Sequence, residues 1–368
     1  MGNSQRGTTL LVAAGGGGDA LASLLLSRRI AGDGGAAIVA SYSWDRRILD
    51  PTPGPRFSAD FEDVRRLTPG CVEITAGSRL RSGGLSTLRL LAETTTARFV
   101  LLDPSGGATG MRQQLMELAE CFSFESALLV DVGGDLLAVG TEEELRSPLA
   151  DALALACLAE FPIPVRVAVA GPGLDGELAP SYVRSRCITL GGKLFARVDA
   201  SDVEPYFSAL ARHPSEATTL LAAAALGIGG QAEIRDNADL VPLTDGSADV
   251  YVLEASPALA GNKLAQDLVR THSLAEAEAA SLAISGRSEL SHERRKAKAL
   301  LSMSPPTAME MSQRLQDYWS SSTARGITLA TFRRLSEVMM LPRYDPSLIR
   351  SLAGEHAHKH LGLCWTSR

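Results

Sequence analysis

Aromatic residues are scarce, at 5% of the 368 positions, and there are only five cysteines and six histidines. Cys71, Cys121, Cys157, Cys187 and Cys364 are odd in number, scattered and without a CxxC spacing, which excludes a disulfide framework and a cysteine zinc site. Free thiols of this kind fit a reducing compartment, so a cytoplasmic location is expected. Long apolar runs are also missing. The stretch Ala152 to Ala170 is broken by Glu160, Pro162, Pro164 and Arg166, and Thr218 to Gly230 is too short to cross a bilayer. The opening MGNSQRG lacks the charged-then-apolar pattern of a signal peptide and has Arg6 where a myristoylation signal wants Ser or Thr. A net charge of -6 gives no general attraction to nucleic acid or acidic membranes, and neither is an expected partner. One basic run, Arg294-Arg295-Lys296-Ala297-Lys298, reads as the solvated face of a helix. A GxSxG elbow, a P-loop and a HExxH are absent, so serine-hydrolase, Walker-type kinase and zinc-peptidase chemistry have no support.

What is present is the rhythm of an α/β protein. The chain exceeds the roughly 250 to 300 residues at which one core stops growing, so one large domain with an appendage is expected. Strands are predicted at Thr9 to Ala14, Ala36 to Ala40, Val72 to Thr75, Phe99 to Leu102, Ala127 to Asp131 and Val165 to Ala170. Helices are predicted at Asp19 to Arg29, Gly110 to Cys121, Glu142 to Glu160 and Pro214 to Leu226. The pattern predicts a three-layer α/β fold with a mainly parallel sheet over residues 1–272. From Gln231 to Leu253 the pattern suggests two or three strands at an antiparallel edge. Residues 273–368 turn rich in Ala, Glu, Ser, Arg and Met and predict a helical C-terminal region.

Open parallel sheets bind ligands beyond the carboxyl ends of their strands, and there the sequence repeats one device, glycines beside a carboxylate. It occurs as Gly15-Gly16-Gly17-Gly18-Asp19, as Asp131 followed by Gly133, Gly134 and Asp135, as the turn from Gly171 to Asp175 and Glu177, and as Asp103 before Gly106 and Gly107. Glycines admit positive φ and close approach to backbone amides, and carboxylates across a tight turn can share a divalent cation. Each site also has a plainer reading: Asp19 as a helix N-cap, Ser147 as the cap of a helix opened by Pro148, the other acids as polar turns. Glu143, Ser147 and Asp151 share one face if their helix is continuous. The loop Trp44 to Arg56, with three prolines, is long enough to cover a ligand. His213, His272 and His292 have no partner at ligand spacing, whereas His356, His360 and Cys364 would share a helix face, read mainly as a basic last turn.

AAGGGGDA, WDRRILDPTPGP, LDPSGG, VDVGGDLLAVGTEEELRSPLADA, GPGLDGEL and PSEATT together resemble the prokaryotic domain-of-unknown-function family eleven-fifty-two. The likeness spans Thr9 to Leu253, with the helices after His292 weakly covered. It implies a Rossmann-like α/β fold and supplies no reaction.

These patterns lead to an enzyme acting on a small polar substrate of the nucleoside, sugar or sugar-phosphate class, by carboxylate-assisted hydrolysis or group transfer. Asp19, Asp135, Asp175 and Glu177 are the candidate catalytic residues, Glu177 as the acid because neighbouring carboxylates crowd it. Asp131 and Asp135 are candidate ligands for Mg²⁺ or Ca²⁺, a cofactor the chemistry admits without requiring. Gly15, Gly16, Gly17, Gly18, Trp44, Asp45, Arg56, Asp103, Gly133, Gly134, Ser147 and Glu216 are candidate substrate contacts. The alternative is a non-catalytic module binding a nucleotide or dinucleotide through the glycine loop, and a homo-oligomer stays open.

Overall fold

The computed structural model describes residues 8–31, 37–236, 239–286, 288–300 and 305–366. The expectations for MGNSQRG, and for Ala36 as a strand residue, lie outside the described residues. In chain order the strands are β1 (Thr9–Ala13), β2 (Ile38–Ser41), β3 (Phe61–Glu62), β4 (Arg65–Arg66), β5 (Val72–Ile74), β6 (Arg79–Leu80), β7 (Arg98–Leu101) and β8 (Ser126–Val132). They continue with β9 (Val165–Ala170), β10 (Lys193–Arg197), β11 (Gly230–Glu233), β12 (Val241–Leu243), β13 (Asp249–Glu254), β14 (Leu329–Thr331) and β15 (Leu363–Trp365).

Nine strands form the main sheet in the order β10-β13-β9-β8-β1-β2-β7-β5-β4. The five from β9 to β7 run parallel, and antiparallel strands extend both sides. Period-2 alternation explains the layers. Leu10 and Val12 of β1 point into one apolar core with Met111, Leu115 and Leu153, while Leu11 and Ala13 point into the other with Leu21, Leu88 and Leu220. Helices Gly107–Phe122 and Pro148–Cys157 therefore cover one face, and helices Gly17–Ala31, Thr87–Thr94 and Glu216–Ala225 the other. The fold is the expected three-layer α/β arrangement, with a helical C-terminal region.

Three differences from the sequence reading have physical causes. The helix expected over Glu142 to Glu160 spans only Pro148–Cys157, because proline cannot continue a preceding turn and Glu142 instead binds the amides of Val139, Gly140 and Thr141. The stretch Gln231 to Leu253 is divided between two sheets. Strand β13 enters the main sheet between β9 and β10, so it is not an edge, while β11 and β12 join β14 and β15 in a sheet ordered β12-β11-β14-β15. The C-terminal region thus also supplies two short strands. His356, His360 and Cys364 do not share a helix: the helix Pro346–Ala353 stops at Gly354, His356 stacks on Trp319, His360 stacks on Phe207, and Cys364 is a buried strand residue. No described helix is long and apolar enough to cross a membrane.

Buried charge fastens the second sheet. Glu233 on β11 accepts from Arg334 Nε at 3.0 Å and also pairs with Arg325, while Arg334 reaches Asp236 at 2.8 Å. Arg334 belongs to helix Phe332–Val338, so the pair clamps that helix to β11. Removing Arg334 leaves buried Glu233 with the more exposed Arg325 alone. Arg334→Met should lower unfolding stability by about 3 kcal/mol in urea titration, and a loss below about 1 kcal/mol would show that the clamp carries no such weight.

Candidate functional site

Chain order reverses direction across the main sheet at β1: β2 and β7 lie on one side, β8 and β9 on the other. Such a switch point opens a crevice at the carboxyl ends of the strands. Asp19 lies past the end of β1, in the first turn of helix Gly17–Ala31, and spans the crevice. Its Oδ2 accepts from the Gly15 amide at 2.7 Å and its Oδ1 from the Val132 amide at 3.1 Å. Asp131 is the buried penultimate residue of β8, and its Oδ2 accepts from Leu136 N at 3.3 Å. Asp135 opens a buried 3₁₀ turn, and Asp151 sits in the first turn of helix Pro148–Cys157. Asp175, in the turn after β9, accepts from Glu177 N at 3.1 Å through Oδ1, while its Oδ2 is buried with no hydrogen-bond partner.

One oxygen each from Asp19, Asp131 and Asp151 can be chosen so that all lie within 4.8 Å of one another. Oxygens on opposite sides of Ca²⁺ are about 4.8 Å apart and of Mg²⁺ about 4.2 Å, so this set is on the scale of a coordination shell. Asp135 and Asp175 crowd the same space. Burial is the first cause that lifts every one of these acids above its ordinary range. Asp19 and Asp175 are each pushed up to about 7, Asp19 in spite of its two backbone hydrogen bonds. Asp131, Asp135 and Asp151 are raised well above the usual carboxylate range by burial and then by each other's charge. Glu289, whose carboxylate accepts from Leu149 N at 2.5 Å, is raised to about 8 by burial and then by Glu177 and Glu293.

The glycines around this nest work for the protein itself. None of Gly15, Gly16, Gly17 or Gly18 has a positive φ. A Cβ on Gly17 would lie 2.1 Å from Thr87 Oγ1, and one on Gly18 would lie 2.7 Å from Ser215 Oγ. The run is small because neighbouring side chains press on it, and its first amide is already bound by Asp19. Gly133 and Gly134 do need the left-handed region, with φ of 118° and 99°, and a Cβ on Gly133 would lie 2.3 Å from Asp175 Cγ.

Other expected residues divide by neighbourhood. Glu177 has both oxygens engaged, by Arg146 N at 2.7 Å, Ser147 N at 3.1 Å and Ser147 Oγ at 2.5 Å, with Arg235 at 3.6 Å. It pins the loop before Pro148, with both oxygens already serving as acceptors. Ser147 is thereby a tie to Glu177, and it makes no side-chain cap. Asp45 lies buried against Thr87 and Ser43, raised to about 6 by burial. Trp44 Nε1 donates to Glu293 at 3.0 Å. Glu216 pairs with Arg333 at 3.0 Å. Arg56 and Asp103 are engaged by local partners instead. Arg56 is buried within its own loop against Asp50, Pro53 O and Gly54 O, and Asp103 is taken up by the Ser58 and Ser105 amides.

A cavity of about 1090 Å³ is lined by Asp45, Ser147, Glu216 and Glu289 among others but by none of the five nest acids, and Glu289, which accepts from Leu149 N and acts on Asp151, links the two. Residues 10–297 match the model of a family described as a protein of unknown function, DUF1152. The chain belongs to that family. No curated protein and no solved structure matches it. The matched region includes every carboxylate of the nest and ends inside the helix Glu289–Leu300.

Two residues of the site escaped the sequence reading of its chemistry. Asp151 was legible, since Pro148 opens a helix and places position 151 in its first turn. Glu289 had no local signal, because it reaches the nest from a helix far along the chain.

Acids lifted by folding make stability depend on pH in a definite direction. Unfolded, Asp19 and Asp175 release their protons near the ordinary 3.8, whereas folded they hold them to about 7. Between those values the folded chain binds more protons, so raising the pH costs stability. The melting temperature in EDTA should fall between pH 5 and pH 8, and a flat or rising profile would contradict the buried, crowded state of these acids.

Proposed function

We propose that the protein is an enzyme that holds a divalent cation, Mg²⁺ or Ca²⁺, on Asp19, Asp131 and Asp151, and acts on a small polar substrate in the adjoining cavity by hydrolysis or group transfer. The observation that carries this reading is the convergence of three carboxylate oxygens within 4.8 Å, deep in a crevice where each acid is penalised for ionising alone. A cation removes the mutual repulsion and replaces water as the partner of the charges. It would supply Lewis-acid polarisation and a more acidic bound water.

The chain's own groups suit the remaining tasks. Asp175 combines a free buried oxygen with proton affinity matched to neutral pH, which is what a general acid or base requires. Asp135 adds negative charge beside Asp131 and Asp151 and favours the loaded state. Helix Glu289–Leu300 supports a closed site, since Glu289 and Glu293 fasten it to Leu149, Trp44 and Gly54 and so keep bulk water from the crevice. A dinucleotide cradle is disfavoured, because a pyrophosphate needs amides and cations where this crevice presents acids.

Thermal denaturation at pH 8 tests the reading. MgCl₂ or CaCl₂ should raise the wild-type melting temperature by several degrees over EDTA, because a ligand of the folded state stabilises it by mass action. Asp131→Asn should melt higher than wild type in EDTA, having lost one buried repulsive charge, and should lose the metal response. An unresponsive wild type, or an Asn variant as responsive as wild type, would remove the cation from the proposal.

A further inference from the structure

The cavity is far larger than a cation and a water require, and its outer wall carries charge of the opposite sign. Arg46 and Arg47 follow Asp45 directly, where the chain leaves β2 and turns, and both line the cavity together with Arg295 and Lys296. Three other cations of the wall, Arg235, Arg333 and Arg334, are paired with acids, while among the described residues Arg146 makes no ion pair of 4 Å or less. Arg333 is shared by Glu216 at 3.0 Å and Glu337 at 2.9 Å, and Arg334 by Glu233 and Asp236. Among the described residues, Arg46, Arg47, Arg295 and Lys296 make no ion pair of 4 Å or less. They nevertheless crowd one another. The Lys296 ammonium is lowered by desolvation and by the charges of Arg333, Arg46 and Arg47, against a raising contribution from Glu337, whose carboxylate Arg333 already holds. Unpaired like charges gathered on a concave wall are a site for an anion.

The basic run Arg294 to Lys298 is an exposed helix face, as expected, and two of its residues also line the cavity. Arg294 does face outward, paired with Glu278 at 3.2 Å, whereas Arg295 and Lys296 turn to the cavity. Helix geometry sets the span between the two ends of the pocket. Glu289, Glu293 and Lys296 stand at i, i+4 and i+7 on one face, so the run from acid nest to cation wall covers about 10 Å along the helix. A phosphoryl group suits the wall, because guanidinium forks and an ammonium match its oxygens.

We propose that the cavity takes a phosphorylated substrate, its phosphate on Arg46, Arg47 and Lys296 and its hydroxyl-bearing end directed at the carboxylate nest. The orientation rests on the proposed function, whereas the anion subsite stands on the cation wall alone.

Calorimetric titration of the full chain with inorganic phosphate, in EDTA at fixed ionic strength, tests the subsite. Saturable binding is expected, weakened at least tenfold by Lys296→Gln and by Arg47→Gln, and unchanged by Arg294→Gln and by Asp131→Asn. Acetate at the same concentration should give no saturable heat. No saturable phosphate binding, equal binding of acetate, or an equal loss in Arg294→Gln would overturn the subsite. Phosphate binding without any metal response in the wild type would overturn the cation reading alone, and a metal response without phosphate binding would overturn this inference alone.

Discussion

Five carboxylates crowd one point of this fold, three of them buried and two half-buried, and all are held above their ordinary range. Asp19, Asp131, Asp135, Asp151 and Asp175 come from separate segments of sequence, and each is penalised by burial before any neighbour's charge is considered. A chain gains no stability from such an arrangement. Replacing buried charges by neutral groups of similar shape is commonly neutral or favourable, so the nest is a cost that the rest of the core offsets. The offset is visible in the layers around it: β1 and β8 are buried on both faces, and helices close over both sides.

Sheet topology explains why the acids meet. Reversal of chain order at β1 brings the loop after β1 beside the end of β8, and the Asp19 side chain bridges the two through the Gly15 and Val132 amides. The same reversal sets the β9 turn next to the β8 turn, where Gly133 gives way to Asp175. Glycine supplies space here more than flexibility. At Gly17 and Gly18 the conformation is ordinary and the constraint is contact with Thr87 and Ser215, so the glycine run keeps the first turn of the helix close to its neighbours and thereby fixes Asp19.

The parallel centre of the sheet was legible because its strands are short, apolar and followed by turn chemistry, and the gathering of acids was legible because residues after parallel strands share one edge. What escaped notice was long-range pairing. Strand β13 gives no local sign that it will insert antiparallel beside β9, and β14 and β15 are three residues each, too short for a period to show. At the site, Glu177 was singled out for its carboxylate neighbours, yet its role follows from donors that no spacing reveals, the amides of residues 146 and 147. Trp44 and Arg56 were grouped by sequence proximity, but one reaches Glu293 and the other turns back on its own loop.

Helix Glu289–Leu300 joins the two halves of the pocket physically. Its inner face begins in acids that dock on the nest through Leu149, Trp44 and Gly54, and continues into cations that line the cavity. Glu289 contributes to the raised proton affinity of Asp151, while its own is raised by burial and then by Glu177 and Glu293. Glu289 accepts from Leu149 N at 2.5 Å. That contact is one of those seating the helix, and the seat fixes where Arg295 and Lys296 stand. The acidic anchor and the basic wall therefore stand on one helix, seven residues apart from Glu289 to Lys296.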